Sequence, residues 1–224
     1  MTNVDNTSNA NKTDLTETII TELLAIKAVK VSPNQPFQYA SGMISPVYTD
    51  LRMTISYPEL RQHIATGLTA LIKRQYPDAT VIAGVATAGI PHAAWVAEAL
   101  SLPLIYVRSH PKDHGTGKQI EGALSSKDHV VLIDDLISTG GSVLGAAKAV
   151  GATGARVDGV VSVFSYDLPD AKTNFKQAKT SLTPLLDYHL LLEHLTNHHE
   201  LSEVDCKLAK AWHNDPWHWQ PVSM

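Results

Sequence analysis

The densest run of reactive residue types in this chain is Val130-Val131-Leu132-Ile133-Asp134-Asp135-Leu136-Ile137-Ser138-Thr139-Gly140-Gly141-Ser142. It reads as a buried strand ending in a pair of acids, followed by a glycine and hydroxyl loop that opens a helix. Gly140 and Gly141 let the backbone turn sharply and present its amides without a Cβ in the way. Ser138, Thr139 and Ser142 add hydroxyl donors, and the start of the helix adds the positive end of its dipole. Such a loop suits a phosphate. The two acids would repel a phosphate on contact, so they are expected to accept hydrogen bonds from sugar hydroxyls or to hold a hydrated magnesium ion. A ribose 5-phosphate meets both demands. The loop has neither the Gly-Lys-Ser/Thr of a Walker A motif nor the G-x-G-x-x-G of a dinucleotide fold.

A second concentration, Arg108 to Gly122, places Arg108, Lys112 and His114 among small and flexible residues in a chain whose formal net charge is −4. A glycine-bearing cationic loop of this kind can close over an anionic leaving group. Ser109 to Lys112 matches S-x-x-K, and His110 and His114 are spaced like helical metal ligands. Pro111, Gly115 and Gly117 argue against the helix that both readings need. The remaining histidines, His198 and His199 among them, are expected to be solvated.

The elements that position these loops follow from apolar spacing. Leu15, Ile19, Ile20, Leu23, Leu24 and Ile26 recur at helical intervals from about Asp14 to near Val31, ahead of Pro33. Residues 32–56 are interrupted by Pro33, Pro36, Gly42 and Pro46 and predict short strands and turns in a small lobe. A second helix follows Tyr57 and stops at Pro77. Apolar runs at Thr80 to Val85, Leu104 to Val107, Val130 to Ile133 and Gly159 to Phe164 alternate with helical stretches at Ile90 to Leu100 and Ser142 to Val150. This alternation predicts a doubly wound α/β fold with a mainly parallel sheet. Ligands of such sheets sit at the strand carboxyl ends, here at Ala86 to Ile90, Arg108 to Gly122 and Asp134 to Ser142. Beyond Asp167 the pattern turns helical and more polar, closing on Trp212, Trp217 and Trp219. The expected organisation is a tail over 1–13 without order and a single domain over 14–224. Its core spans about 57–165, and an accessory lobe is drawn from 14–56 and 166–224.

Composition narrows the function classes. With 224 residues, 44% apolar and 18% charged, the chain can bury one sizeable core. The acidic balance gives no general pull toward nucleic acid or an anionic membrane. The single cysteine, Cys206, excludes an internal disulfide and a cysteine-cluster metal site; it is expected to be a buried apolar side chain and fits a reducing cytoplasm. No run approaches a transmembrane length and no signal-peptide pattern is present.

With its preceding strand, Asp134 to Ser142 resembles the phosphoribosyl diphosphate (PRPP) signature of type I phosphoribosyltransferases. Within that superfamily, Phe37-Gln38-Tyr39-Ala40-Ser41-Gly42 and Ser45-Pro46-Val47-Tyr48-Thr49-Asp50-Leu51-Arg52 resemble the N-terminal segment of the orotate phosphoribosyltransferases. Gly84 to Pro91 is similar to their second loop, and Tyr106 to Gly115 with Ile120-Glu121-Gly122 to their mobile catalytic loop. The motifs run from about Phe37 to Ser165 in the family's order.

The resemblance implies transfer of ribose 5-phosphate from PRPP to N1 of orotate, giving orotidine 5′-monophosphate and diphosphate in pyrimidine biosynthesis. It places Lys112, Arg108 and His114 on the diphosphate, with Lys112 foremost in catalysis, and Asp134 and Asp135 on the ribose. PRPP is held along Leu136, Ile137, Ser138, Thr139, Gly140, Gly141 and Ser142. Mg²⁺ is expected chiefly through PRPP, without dedicated protein ligands. The family's homodimer, in which loop 108–122 reaches the neighbouring site, is likewise implied. Some members carry lysines at the positions of Ala40, Ala88 and Ser109, and some hold orotate with an arginine where this chain has Phe164-Ser165-Tyr166-Asp167. Ser138 and the backbone near Ser41 and Gly42 are the expected orotate contacts. A PRPP-sensing regulator would need a basic face or an added DNA-binding domain. A phosphoribosyltransferase for another base would share the loop and differ over Phe37 to Arg52.

Overall fold

The computed structural model describes residues 5–39, 42–109 and 118–221, with side chains from Leu15 onward. Helix α1 (Asp5–Ala25) is followed by β1 (Val29–Val31), β2 (Phe37–Gln38), β3 (Ile44–Ser45), β4 (Val47–Thr49) and a 3-10 turn at Leu51–Ser56. Then come α2 (Pro58–Gln75), β5 (Val81–Val85), α3 (Gly89–Leu100), β6 (Leu104–Val107), β7 (Ile120–Glu121), β8 (His129–Ile137) and α4 (Gly141–Gly151). The chain continues through β9 (Arg156–Ser165), α5 (Pro169–Ala178), β10 (Leu182–Asp187), α6 (Tyr188–Asn197) and α7 (Glu203–Asn214).

The main sheet has the order β10-β9-β8-β5-β6-β7 and is parallel except where β7 pairs with β6. Successive residues of its central strands face opposite sides: Ile82, Val131 and Ile133 pack under α2 and α3, while Val81, Val130 and Leu132 pack under α4. Each of these side chains is at most 2% exposed, and each such burial stabilises the fold by about 1.5–3 kcal/mol. A sheet covered on both faces has no alternation to read. That is why its strands appear in the sequence as continuous apolar runs.

Two antiparallel ribbons, β1 with β4 and β2 with β3, build the small lobe. The C-terminal segment holds it in place. Trp212 is fully buried against Tyr166 and Tyr188, and its indole Nε1 donates to the carbonyl of Ile44 at 3.0 Å.

Several elements differ from expectation. Helix α1 begins at Asp5 and ends at Ala25, short of Val31, because Lys27 takes a left-handed turn (φ 60°) and the chain enters β1. Strand β8 continues through both acids to Ile137, paired as Asp134 to Ser162 and Ile137 to Ser165. The region beyond Asp167 is not wholly helical: β10 joins the main sheet beside β9. Its brevity and Pro184 hide it in the sequence, and a proline is tolerated there because β10 is an edge strand. Cys206 is buried and unpaired, as expected. No described helix is long and apolar enough to cross a membrane.

Candidate active site

Two strand ends and two helix starts converge at the centre of the sheet. Strand β8 carries Asp134 and Asp135 to its carboxyl end, and β5 leads through Ala86 to Ala88 into α3. The approach is close enough to demand glycine: a Cβ on Gly89 would lie 2.3 Å from the carbonyl oxygen of Ile133 and 3.0 Å from Cα of Asp134. The Ala86–Thr87 peptide is cis.

Asp134 is 9% exposed and Asp135 half-buried. Burial raises the Asp134 carboxyl far above the usual range, and the neighbouring Asp135 charge adds to the rise. Burial raises Asp135 as well, opposed by a hydrogen bond from Asp134 and more weakly by the charge of Arg52. Burial thus favours a protonated carboxyl in the pair when no ligand is bound. A polyhydroxyl ligand or a cation supplies what the site lacks.

The loop after β8 is built to leave amides free. Gly140, the residue before α4, has φ 82°, and no side chain caps the helix start. The donors of the first turn thus face open space, and Gly141 and Ser142 are exposed. Asn174 Nδ2 donates to the Thr139 carbonyl at 2.9 Å, and the Phe175 ring packs where a Cβ on Gly140 would stand, at 2.5 Å. Helix α5 thereby fixes the loop from behind. A cavity of ≈ 270 Å³ lies between this helix start and the next strand, lined by Val107, Arg108, Gln119, Gly141 and Ser142.

Arg108 stands at the base of the cationic loop. Its backbone N–H donates to the Gln119 carbonyl at 2.9 Å, and Gln119 Nε2 returns a bond to the Arg108 carbonyl at 2.7 Å. Together with the pairing of β6 and β7, this clamp fixes the two ends of the 108–122 segment at the edge of the sheet. Lys112, His114 and Ser41 lie outside the described residues. Ser138 is half-buried just past Ile137, and Gly42 occupies a turn with φ 87°, its N–H donating to the Tyr39 carbonyl.

Two features were not assigned from sequence. Tyr166, within the Phe164 to Asp167 stretch, is 3% exposed; its hydroxyl accepts from Tyr39 and pairs with Thr49. It ties the lobe to β9 and is committed there. Arg52 projects from the 3-10 turn with its side chain 69% exposed, Nε bonded to Asp50 at 2.7 Å and its charge felt by Asp135. Its place in the Tyr48-Thr49-Asp50-Leu51-Arg52 stretch was the available signal. Three histidines depart from the solvated expectation, among them His213, 8% exposed. His92 is 1% exposed, its ring nitrogens lacking hydrogen-bond partners, and burial lowers its pKa to about 4; His194 is 2% exposed.

Residues 58–181 match the family described as the phosphoribosyl transferase domain. The chain is 57% identical over 201 residues to a Lactobacillus johnsonii protein named orotate phosphoribosyltransferase, an alignment covering 90% of this chain and 95% of the relative. Among solved structures, orotate phosphoribosyltransferase from Aeropyrum pernix aligns with TM-score 0.71 at 28% identity, covering 80% of this chain and 98% of that one. Leishmania donovani UMP synthase aligns with TM-score 0.73 at 26% identity; the alignment covers 88% of this chain, which spans 41% of that longer protein.

Proposed function

Because the chain belongs to the phosphoribosyltransferases and, within them, to the orotate phosphoribosyltransferases, we propose that the strand-end site carries out the family's reaction with the residues found there. The enzyme joins N1 of orotate to C1 of the ribose in PRPP and releases diphosphate, giving orotidine 5′-monophosphate. The observation that carries the site assignment is the convergence of a buried acid pair with an uncapped helix start whose glycines leave the amides open.

Breaking the C1–O bond builds positive charge on the sugar and negative charge on the diphosphate. Catalysis then consists mainly of stabilising the leaving group while excluding water, with no covalent nucleophile. The first turn of α4, with Ser138, Thr139 and Ser142, holds the 5-phosphate. Asp134 and Asp135 accept from the ribose hydroxyls. Arg108, from the clamped loop base, and Lys112 and His114 beyond it supply positive charge to the diphosphate, and Lys112 contributes most. The acid pair also fits a magnesium ion carried by PRPP, since it offers oxygen donors in a site short of positive charge; the ion would neutralise the diphosphate.

Ser138, Ser41 and Gly42 contact the base. Arg52, 69% exposed beyond its bond to Asp50, is the cation offered to the orotate carboxylate, since Tyr166 is already engaged. A homodimer in which loop 108–122 reaches the neighbouring site, a single domain over 14–224 and a cytoplasmic location complete the reading. Sedimentation and cell fractionation test the assembly and the location.

The deciding experiment follows orotate absorbance with PRPP and Mg²⁺, with hypoxanthine, adenine and uracil run in parallel for diphosphate release. Loss of orotate with diphosphate release is expected. Release with another base alone would overturn the substrate, and PRPP binding without turnover would make the protein a sensor.

A further inference from the structure

Away from the strand ends, helices α1 and α6 bring a second group of potential ligands together. Helix α6 carries His194 in its last turn, and His198, four residues on, follows its last residue, so both imidazoles project from one side of the helix. Their ring centroids are 4.3 Å apart. Glu17, from the middle of α1, meets both: His194 Nδ1 donates to Glu17 Oε2 at 2.5 Å, and His198 Nε2 lies 3.5 Å from the same oxygen. The donor atoms all lie within 4.8 Å of one another.

We propose that Glu17, His194 and His198 form a binding site for a divalent transition-metal ion of the zinc class, clasping α1 to α6. Bonds of about 2.0–2.1 Å in tetrahedral array set donors about 3.4 Å apart, close to the separation of His198 Nε2 and Glu17 Oε2. The shorter His194 contact is a proton-bridged one. A metal entering there takes the Nδ1 lone pair of the tautomer whose proton sits on Nε2, and the 42% exposed Glu17 side chain is free to swing outward by the required ångström. His194, 2% exposed, is the fixed ligand; His198, 56% exposed, leaves the ion a way in and room for water at a fourth position. Two imidazoles favour a borderline metal over magnesium, so this ion is chemically distinct from the one that accompanies PRPP. The site does not depend on the reading of the strand-end site.

A superficially similar trio, Asp167, His189 and His213, is already satisfied. Lys172 Nζ lies 2.8 Å from the Asp167 carboxylate, and His213 Nε2 faces the Asp167 carbonyl at 3.1 Å. It serves as the internal control.

The test is titration of the chelator-treated full-length protein with Co²⁺, read from the visible d–d bands that intensify on low-symmetry coordination, then displacement by Zn²⁺. Saturable binding is expected, weakened at least about tenfold in His198→Ala and in Glu17→Gln and unchanged in His189→Ala. His198 is exposed, so its replacement leaves the fold intact, and circular dichroism verifies this. Absence of saturable binding in the parent protein, unchanged binding in His198→Ala, or loss in His189→Ala would each overturn the proposal.

Discussion

Asp134→Asn separates what the acid pair does for catalysis from what it costs the fold. In the native protein, burial and Asp135 raise the Asp134 carboxyl well above its ordinary value of 3.8, which the unfolded chain retains. Between those two values the folded state binds one more proton than the unfolded state, so the contribution of this group is full below pH 3.8 and is lost as pH rises through the native pKa. The slope is about 1.4 kcal/mol per pH unit. Asparagine keeps the shape and removes the titration. The ligand-free variant should therefore gain about 1.4 kcal/mol on the parent protein between pH 5 and pH 6, the two having converged near pH 4. Asp135 adds a slope of the same sign to both proteins. Urea unfolding at each pH, without PRPP or magnesium, reads the difference. The same change removes a carboxyl from the ribose hydroxyls and should lower kcat/KM for PRPP by about ten- to a hundredfold. Parallel stability profiles would refute the buried, protonated pair, and unchanged kcat/KM would remove Asp134 from the ribose.

His92, held neutral with a pKa of about 4 against 6.5 unfolded, makes stability fall as pH drops from 6.5 toward 4, by about 3 kcal/mol in all; His92→Leu should flatten that limb in urea melts, and superimposable limbs would contradict it. Gly140→Ala combines a φ of 82° with a Cβ 2.5 Å from the Phe175 ring and should destabilise by about 1–3 kcal/mol while weakening PRPP binding. Gly141→Ala, with nothing within 4 Å, should leave thermal stability nearly unchanged. Arg52→Ala should raise KM for orotate by about tenfold or more with a smaller effect on kcat, and an unchanged KM would dismiss it as the carboxylate's partner. Lys112→Ala should lower kcat by about a hundredfold or more with thermal stability unaltered, and unimpaired turnover would remove it from the mechanism.

The parts of the site legible in the sequence were those where local chemistry and backbone demand coincide. Asp134 to Ser142 carries strand, acids, glycines and helix start in one uninterrupted stretch, so reading the residues in order was reading the site. Where a role depends on partners distant in the chain, the sequence is silent. Tyr166 is a strand-end aromatic like any other until Tyr39 and Thr49 are seen to occupy its hydroxyl. His92 and His194 are unremarkable polar residues in helical runs, and only the packing of neighbouring elements reveals their burial. β10 was concealed by Pro184, whose meaning depends on whether its strand is central or at the edge. Arg52 was visible as part of a motif, but its standing as a cation near Asp135 rests on where the 3-10 turn places it.

The bond from Trp212 to the carbonyl of Ile44 spans 168 positions of chain. During synthesis the lobe that bears β2 and β3 lacks this fastening until Trp212 leaves the ribosome. The sheet with its phosphate loop is by then largely emerged. Closing so long a loop is entropically slow, which makes lobe docking a late folding event. Chains halted before α7 would therefore retain the acids and glycine loop proposed to hold the sugar phosphate and lack the Trp212 fastening of the small lobe.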